Sequence, residues 1–213
     1  MSSTSSPSPQ PYFIGITGGS ASGKTTLLRQ LVSHFRDDQL TLISLDNYYI
    51  SRDDLPRTLD GSINFDHPDA IDLDRFAADL KRIAAGETIE LMEYTFNNPA
   101  IVPKKIVYAP APLVVVEGLF VFNHAEAADM LDLKVFVDTE DYHRLSRRIV
   151  RDAKERGYGL DDVLSYYTRF VAPMYKQYIE PYKYGCDIVI PNNVRMDRGI
   201  QVLMHHLEAV VGD

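Results

Sequence analysis

The sequence is poor in cysteine and in positive charge and has no long apolar run, and each shortage excludes a class of protein. The only cysteine, Cys186, cannot form an internal disulfide, which predicts a reducing, cytoplasmic location. The 22 Lys and Arg against 30 Asp and Glu give a net charge of −8, which argues against non-specific binding to nucleic acid. No apolar run reaches about 18 residues, so we expect no membrane span.

The N-terminus differs in composition from the rest of the chain. Residues 1–11 are rich in Ser and Pro and contain no apolar stretch, so they predict a disordered tail and not a signal peptide. Residues 12–213 have the length of one domain, and 45% hydrophobic residues in the chain suffice for a full core. We therefore expect a single domain after the tail.

Strand-like apolar runs alternate with helical patterns along this domain. The predicted strands are 13–17, 40–45, 113–116, 134–137 and 187–190. The predicted helices are 24–35, 74–85, 141–155, 160–178 and 195–211. This alternation predicts an α/β fold with a mainly parallel sheet flanked by helices. Residues 88–108 break the alternation with two short extended stretches around a turn, which predicts a small β-hairpin insertion.

Residues 18–25 read GGSASGKT and match the phosphate-binding pattern G-x-x-x-x-G-K-S/T between a predicted strand and a predicted helix. The glycines let backbone N–H groups form a concave anion site, and the helix adds its positive N-terminal end. We expect Lys24 to reach the outer phosphates and Thr25 to offer its hydroxyl to Mg²⁺. A Gly/Ser-rich turn without a ligand is the weaker alternative. The predicted nucleotide-binding residues are Gly18, Gly19, Ser20, Ala21, Ser22, Gly23, Lys24, Thr25 and Thr26.

Two carboxylates stand directly after predicted strands. Asp46 follows 40–45, and Glu117 follows the β-branched run 113–116. Ligands of parallel sheets bind beyond the carboxyl ends of the strands, so we expect both groups beside the phosphate loop. Mg²⁺ takes one or two carboxylates plus substrate phosphates, and a hydroxyl nucleophile needs a base. For either residue alone, a helix cap or a solvated loop carboxylate is the alternative.

Further along, Asp66 lies in the polar segment 64–72, where its carboxylate could accept hydrogen bonds from sugar hydroxyls. Either Asp69 or Asp72 is expected to cap the next helix.

A basic cluster occupies the predicted helix 141–155 and the residue after it. Its members recur at helical i+3 and i+4 spacings and are Arg144, Arg147, Arg148, Arg151 and Arg156. The glycines of the adjacent Gly-Tyr-Gly at 157–159 could act as a hinge, so the cluster predicts a mobile phosphate clamp. The alternative is a solvated helix face on which Asp152 and Glu155 pair with some of the arginines.

These motifs, in this order, resemble the uridine/cytidine kinases of the phosphoribulokinase–uridine kinase family. The matching segments cover nearly the whole chain and are 18–26, 46–49, 64–72, 116–118, 136–139, 144–157 and 187–191. The resemblance implies a P-loop NTPase-type fold and phosphoryl transfer from ATP, or alternatively GTP, to the 5′-hydroxyl of uridine or cytidine. It also implies a pyrimidine-salvage enzyme that forms a homo-oligomer, commonly a tetramer.

The resemblance also implies roles by position. Asp46 would be the base, and Thr25 and Glu117 would join it around Mg²⁺. The residues implied at the nucleoside are Asp46, Tyr49, Asp66, Tyr94 and Arg148. The residues implied in phosphoryl transfer are Lys24, Asp46, Arg151 and Arg156, with the two last arginines on a lid at about 147–159.

Three positions depart from the family pattern. Pro99 stands where the family has a base-contacting histidine, Tyr158 replaces a lid arginine, and Tyr166 replaces a glutamine near the base. Loss of hydrogen-bond partners can change substrate choice by orders of magnitude. Two alternatives therefore stay open: a kinase of the same fold for another nucleoside or a sugar phosphate, and a nucleotide-binding protein without activity.

Overall fold

The computed structural model describes residues 10–58, 60–95 and 101–212. The predicted tail lies almost wholly outside the described residues, and so does Pro99. Among the described residues the strands are β1 (Tyr12–Thr17), β2 (Leu40–Ser44), β3 (Ile89–Met92), β4 (Lys105–Tyr108), β5 (Leu113–Glu117), β6 (Leu133–Asp138) and β7 (Ile188–Pro191).

Helices occupy most of the remaining described chain. The α-helices are α1 (Lys24–His34), α2 (Leu73–Ala84), α3 (Ala125–Asp129), α4 (Asp141–Arg156), α5 (Leu160–Tyr166), α6 (Ala172–Tyr178) and α7 (Asp197–Val211). Short 3-10 helices lie at Leu45–Tyr48, Pro68–Ala70 and Glu180–Gly185, and a π-helical turn lies at Tyr167–Val171.

The main sheet has the strand order β2-β5-β1-β6-β7, and all of its pairings are parallel. Strand β1 lies between β5 and β6, so the loop that follows it emerges from the middle of the sheet. The carboxyl ends of all these strands lie along one edge. That edge is where an open parallel sheet binds its ligands.

Helices cover both faces of this sheet. Along β5, Val114 and Val116 enter one apolar cluster, whereas Leu113 and Val115 enter the other. This alternation is the two-residue period of a strand that is buried on both faces. Phe76 and Leu80 of α2 belong to the first cluster, and α1 and α7 supply side chains to the second. The predicted α/β architecture is confirmed.

Strands β3 and β4 pair antiparallel and form the predicted hairpin. Ile89 and Leu91 of β3 are buried, while Glu90 and Met92 on the other face are exposed. The inner face joins the cluster that holds α2. The hairpin is thereby attached to the same side of the sheet as the segment that follows β2.

The predicted continuous helix 160–178 is wrong in one respect, because the π-helical turn divides it into α5 and α6. Pro173 stands in the first turn of α6. It has no N–H to donate, and its ring obstructs the carbonyl four residues earlier, so a regular α-helix cannot pass through this point. The wider π-helical turn accommodates the missing N–H and the bulk of the proline ring, as π-bulges do. Such turns are frequent at functional sites.

Candidate active site

The phosphate loop is held from outside by two side chains of other elements. The carbonyl of Ser22 accepts hydrogen bonds from Asn192 Nδ2 at 2.7 Å and from Thr139 Oγ1 at 2.9 Å. Gly23, which caps α1, has φ 107, and a Cβ there would collide with Asn192. Only glycine adopts this backbone without strain, so the loop shape depends on it.

Lys24 turns back across the loop at the first position of α1. Its Nζ donates to the carbonyls of Gly18 at 2.7 Å and Gly19 at 3.3 Å. Burial lowers the pKa of Lys24, and the nearby carboxylates of Glu117 and Asp46 oppose that change. The lysine therefore lies between the loop and the two carboxylates.

The two strand-end carboxylates share one corner of the sheet edge. Ser44 and Glu117 are register partners of β2 and β5, and the Ser44 hydroxyl donates to Glu117 Oε1 at 2.7 Å. Asp46 follows in the 3-10 helix. Burial and the neighbouring Glu117 raise the pKa of Asp46 to about 6 against the opposing effect of Lys24. A carboxylate whose pKa lies near the working pH suits proton abstraction.

An aromatic wall continues from Asp46 away from the loop. Tyr49 and Tyr94 stack with their ring centroids 4.6 Å apart at 24°. The Tyr49 hydroxyl donates to the Phe65 carbonyl at 3.1 Å, and the Tyr94 N–H donates to Asn47 Oδ1 at 2.9 Å. These bonds fix the orientation of the stacked pair relative to β2 and to residues 64–66.

Asp66 lies at the far end of this wall and is 7% exposed. Its N–H donates to Asn64 Oδ1 at 3.1 Å. Burial raises the pKa of Asp66, while Arg148 and a hydrogen bond from the Tyr166 hydroxyl oppose that rise. The Asp66 carboxylate is thus shielded from water and lies near Arg148 and Tyr166. A buried acceptor of this kind needs a hydrogen-bond partner, which a ligand can supply.

The arginines of α4 divide into two groups. Arg144 is buried beneath Gly19 and stacks on Tyr175, with its guanidinium carbon 3.5 Å from the ring centroid. Arg147 donates from Nη2 to the Asn192 carbonyl at 2.8 Å. These two side chains support the loop and its neighbours.

The other arginines converge on Asp152, whose side chain is 2% exposed. Its carboxylate lies 3.1 Å from Arg148 Nε, 2.8 Å from Arg151 Nη2 and 3.6 Å from Arg156 Nη1. Arg148 also donates from Nη1 to Ser20 Oγ at 2.9 Å. The sequence suggested either a phosphate clamp or a salt-bridged helix face. Ion pairs of the second kind are present, but they centre on the buried carboxylate of Asp152 and not on a solvated helix face. The three arginines line the same cavity as the loop.

A cavity of about 1400 Å³ is lined by residues of the phosphate loop, the two strand-end carboxylates, the aromatic wall, Asp66 and α4. The predicted site residues that line it are Ser20, Ala21, Ser22, Gly23, Lys24, Thr25, Asp46, Tyr49, Asp66, Tyr94, Glu117, Arg148, Arg151 and Arg156. Gly18 and Gly19 instead contribute carbonyls to Lys24. Thr26 lines a second, smaller cavity with Gln30, Asn192 and Arg195.

Several residues of the cavity were not predicted as site residues. They include Arg52, Ser62, Phe65, Arg169 and Phe170. They come from a loop and from the π-helical turn, whose positions depend on packing between distant segments. The buried carboxylate of Asp152 had one signal in the sequence, which is spacing. Arg148 lies four residues before it and Arg156 four residues after it, so a helix places all three on one face.

A family model described as Phosphoribulokinase / Uridine kinase family matches residues 13–197. This chain belongs to the phosphoribulokinase/uridine kinase family. The predicted resemblance and the predicted kinase class are therefore confirmed. No α-helix of the described residues combines the length and apolar character needed to cross a membrane.

Two curated members of the family are similar over almost their full length. A uridine kinase of Lactobacillus helveticus (strain DPC 4571) is 37% identical over 203 residues, covering 95% of this chain and 96% of that protein. A uridine kinase of Streptococcus pneumoniae (strain Hungary19A-6) is 38% identical over 194 residues, covering 91% and 92%.

Solved structures share the fold at lower identity. A structure of a possible uridine kinase from Bacillus stearothermophilus has a TM-score of 0.61 and 17% identity, covering 85% of this chain and 89% of that chain. The D-glycerate 3-kinase of Cryptococcus neoformans var. grubii has a TM-score of 0.57 and 17% identity, covering 82% and 81%. At such identities these neighbours show the shared architecture alone.

Proposed function

We propose that the protein transfers the γ-phosphoryl group of ATP to the 5′-hydroxyl of uridine or cytidine and releases the nucleoside monophosphate, a pyrimidine-salvage reaction. The observation that carries this proposal is a single cavity in which Asp46 lies between the phosphate loop and an aromatic pocket that ends at Asp66. The similarity to uridine kinases along nearly the whole chain supports the choice of acceptor.

On the donor side, residues 18–25 would bind the phosphates of ATP, with GTP as an alternative donor. Lys24 would move its ammonium from the loop carbonyls to the outer phosphates. Arg151 and Arg156, on a lid formed by residues 147–159, would neutralise charge on the transferring group. Catalysis by such kinases consists mainly of positioning and electrostatic stabilisation.

The donor set fits a Mg²⁺ ion that arrives with ATP. Thr25, Asp46 and Glu117 line the cavity beside Lys24 and would hold the ion. Among the described residues no group of three or more His, Cys, Asp and Glu side chains could hold a metal ion by itself. Mg²⁺ commonly takes one or two carboxylates and completes its shell with phosphates and water, so a full protein cage is not needed. When bound, it would neutralise phosphate charge.

On the acceptor side, Asp66 would accept hydrogen bonds from the ribose hydroxyls, with Tyr49, Tyr94 and Arg148 around the nucleoside. The 5′-hydroxyl would then face Asp46. Asp46 would take the hydroxyl proton while the 5′-oxygen forms a bond to the γ-phosphorus. The bond to the bridging oxygen breaks, and ADP leaves with that electron pair.

The remaining expectations follow from the same resemblance. We propose a cytoplasmic homo-oligomer, a tetramer, in which residues 12–213 form one kinase domain. The hairpin insertion at 88–108 and the lid at 147–159 belong to that domain.

An acceptor panel tests the proposed function. Purified protein with ATP and Mg²⁺ is assayed for ADP release against uridine, cytidine, adenosine, thymidine and a sugar phosphate, and the products are identified by phosphorus NMR. We expect efficient turnover of uridine and cytidine to the 5′-monophosphates. Turnover confined to another alcohol, or ATP binding without ADP release for any acceptor, would contradict the proposal.

A second candidate is a kinase for a charged alcohol such as a sugar phosphate. The observation in its favour is that Arg52 and Arg169 line the cavity. However, Arg169 already pairs with Asp60 at 2.5 Å and donates to Ser62 Oγ at 3.1 Å. We therefore favour the neutral nucleoside, and the same panel separates the two candidates.

A further inference from the structure

Tyr166 ends α5 and places its phenol in the acceptor part of the cavity. Its oxygen accepts a hydrogen bond from the Phe65 N–H at 3.1 Å. The Arg148 guanidinium lies 5.7 Å from its ring centroid, and the centroid of the Phe170 ring lies 4.9 Å from it. The ring therefore has two close neighbours, and the position of its hydroxyl is set by the backbone beside Asp66.

The hydrogen bond from Phe65 leaves the phenol proton available. A phenol is both a donor and an acceptor, so an oxygen that accepts from a backbone N–H can still donate its own hydrogen. The bond from Phe65 places the phenol oxygen at the residue before Asp66, whose buried carboxylate lines the same cavity. The Tyr166 hydroxyl opposes the increase in the Asp66 pKa that burial causes. Tyr166 is thus fixed to residue 65 by a hydrogen bond and shares the cavity wall with the carboxylate of residue 66.

We propose that Tyr166 is a positioning residue that sets the acceptor specificity of the site: its hydroxyl orients the Asp66 carboxylate so that the remaining lone pairs face a vicinal diol. This inference rests on the proposed function. It assigns the discrimination between ribonucleosides and 2′-deoxyribonucleosides to the Tyr166–Asp66 pair, and not to Asp66 alone.

The orientation matters because Asp66 is buried. A ribose diol would satisfy two of its lone pairs, whereas a 2′-deoxyribose would leave one buried acceptor unpaired. A site built to hydrogen-bond a hydroxyl rejects the analogue that lacks it by far more than an apolar pocket could. If the carboxylate can rotate, part of this advantage is lost, because the diol no longer meets a prearranged acceptor.

The neighbouring Tyr167 provides a matched control. Tyr167 is buried, whereas Tyr166 is half-buried, and the Tyr167 hydroxyl also makes one hydrogen bond, to the Asp141 carbonyl at 3.5 Å. Tyr167 is not among the residues that line the acceptor cavity. Tyr166→Phe and Tyr167→Phe therefore each remove one hydroxyl from adjacent positions, and only the first lies beside Asp66.

The experiment compares kcat and KM for uridine and 2′-deoxyuridine in wild type and both variants. For Tyr166→Phe we expect kcat/KM for uridine to fall about tenfold, mainly through a higher KM, as the loss of one hydrogen bond to a charged group predicts. The kcat/KM for 2′-deoxyuridine should change by less than about twofold, so the ratio of kcat/KM for uridine to that for 2′-deoxyuridine should decrease. Tyr167→Phe should leave the ratio at its wild-type value.

The ratio is measured within one preparation, so a partly folded variant lowers both values equally and leaves it unchanged. Equal losses for both acceptors in Tyr166→Phe, or an unchanged uridine value, would overturn the proposal. A wild type that phosphorylates no nucleoside would overturn the proposed function first, before any variant is made. If the wild type is active on uridine and Tyr166→Phe leaves the ratio unchanged, only the proposed role of Tyr166 is overturned.

Discussion

Among single side chains, Asp46 carries the most direct test of the mechanism. Asp46→Asn keeps the size of the side chain and removes the ability to take a proton. We expect ATP affinity close to wild type and a decrease in kcat of about 10²–10⁴-fold, the contribution typical of general-base catalysis. Nucleotide binding is followed by calorimetry and turnover by ADP release.

A matched control is Asp74→Asn, which makes the same chemical change at a side chain that is 97% exposed. It should leave both quantities unchanged. Turnover of Asp46→Asn within about threefold of wild type would remove Asp46 from the role of base.

The same aspartate predicts a pH-dependent effect on stability. Burial raises the pKa of Asp46 from 3.8 to about 6 in the folded protein. The folded state therefore binds more protons than the unfolded state between these values, and the free energy of unfolding falls as the pH rises through this range. At neutral pH the buried charge costs at most about 3 kcal/mol.

We therefore expect Asp46→Asn to be more stable than wild type at pH 7 by roughly 1–2 kcal/mol, with the difference vanishing below about pH 4. Urea unfolding without Mg²⁺ or nucleotide measures it. An Asn variant that is less stable than wild type at pH 7 would contradict the desolvation argument.

Among helices and strands, α4 depends on one buried carboxylate. Asp152 pairs with Arg148, Arg151 and Arg156, and its removal would leave their charges without their common partner. Breaking a buried pair by removing one member costs about 3–5 kcal/mol, and the partial exposure of Arg151 and Arg156 reduces that figure. We expect Asp152→Asn to lower the free energy of unfolding by about 2 kcal/mol.

Turnover in Asp152→Asn should fall together with stability, because the arginines lose the anchor that directs them toward the loop. Asp74→Asn makes the same chemical change at an exposed carboxylate that does not line the cavity, and it serves as the control. Chemical denaturation and kcat are measured for both variants. Wild-type values of both quantities in Asp152→Asn would refute the organising role of this carboxylate.

Elements with strong local patterns could be predicted from the sequence, whereas those that depend on packing could not. The β-branched run of β5 and the GKT segment before α1 carry their own signals. The π-helical turn arises where a helix that favours continuation meets Pro173, and its residues Tyr167 and Phe170 are buried against other segments. The hydrogen bond between Tyr166 and Phe65 joins positions 101 residues apart, which no local pattern encodes.

At the scale of the whole molecule, the two sides of the cavity differ in how far local sequence patterns predict them. The donor side is built from one contiguous motif and from strand ends, so topology rules were enough to bring Lys24, Asp46 and Glu117 together. The acceptor side combines loops, the hairpin and the turn after α5. Arg52 and Arg169 belong to this side, and only the tertiary structure shows that they line the cavity.

Because one cavity connects the phosphate loop to Asp66, a single molecule that joins both substrates should occupy it. We expect an adenosine–uridine conjugate linked 5′ to 5′ by four or five phosphates to bind tighter than ATP or uridine by at least about 10²-fold. Joining the two halves makes the second binding event intramolecular. Calorimetry measures the affinities, and a conjugate with only two phosphates is the control, since it is too short to place both nucleosides. If the longer conjugates bind no tighter than ATP, the two ends of the cavity do not serve as donor and acceptor subsites of one reaction.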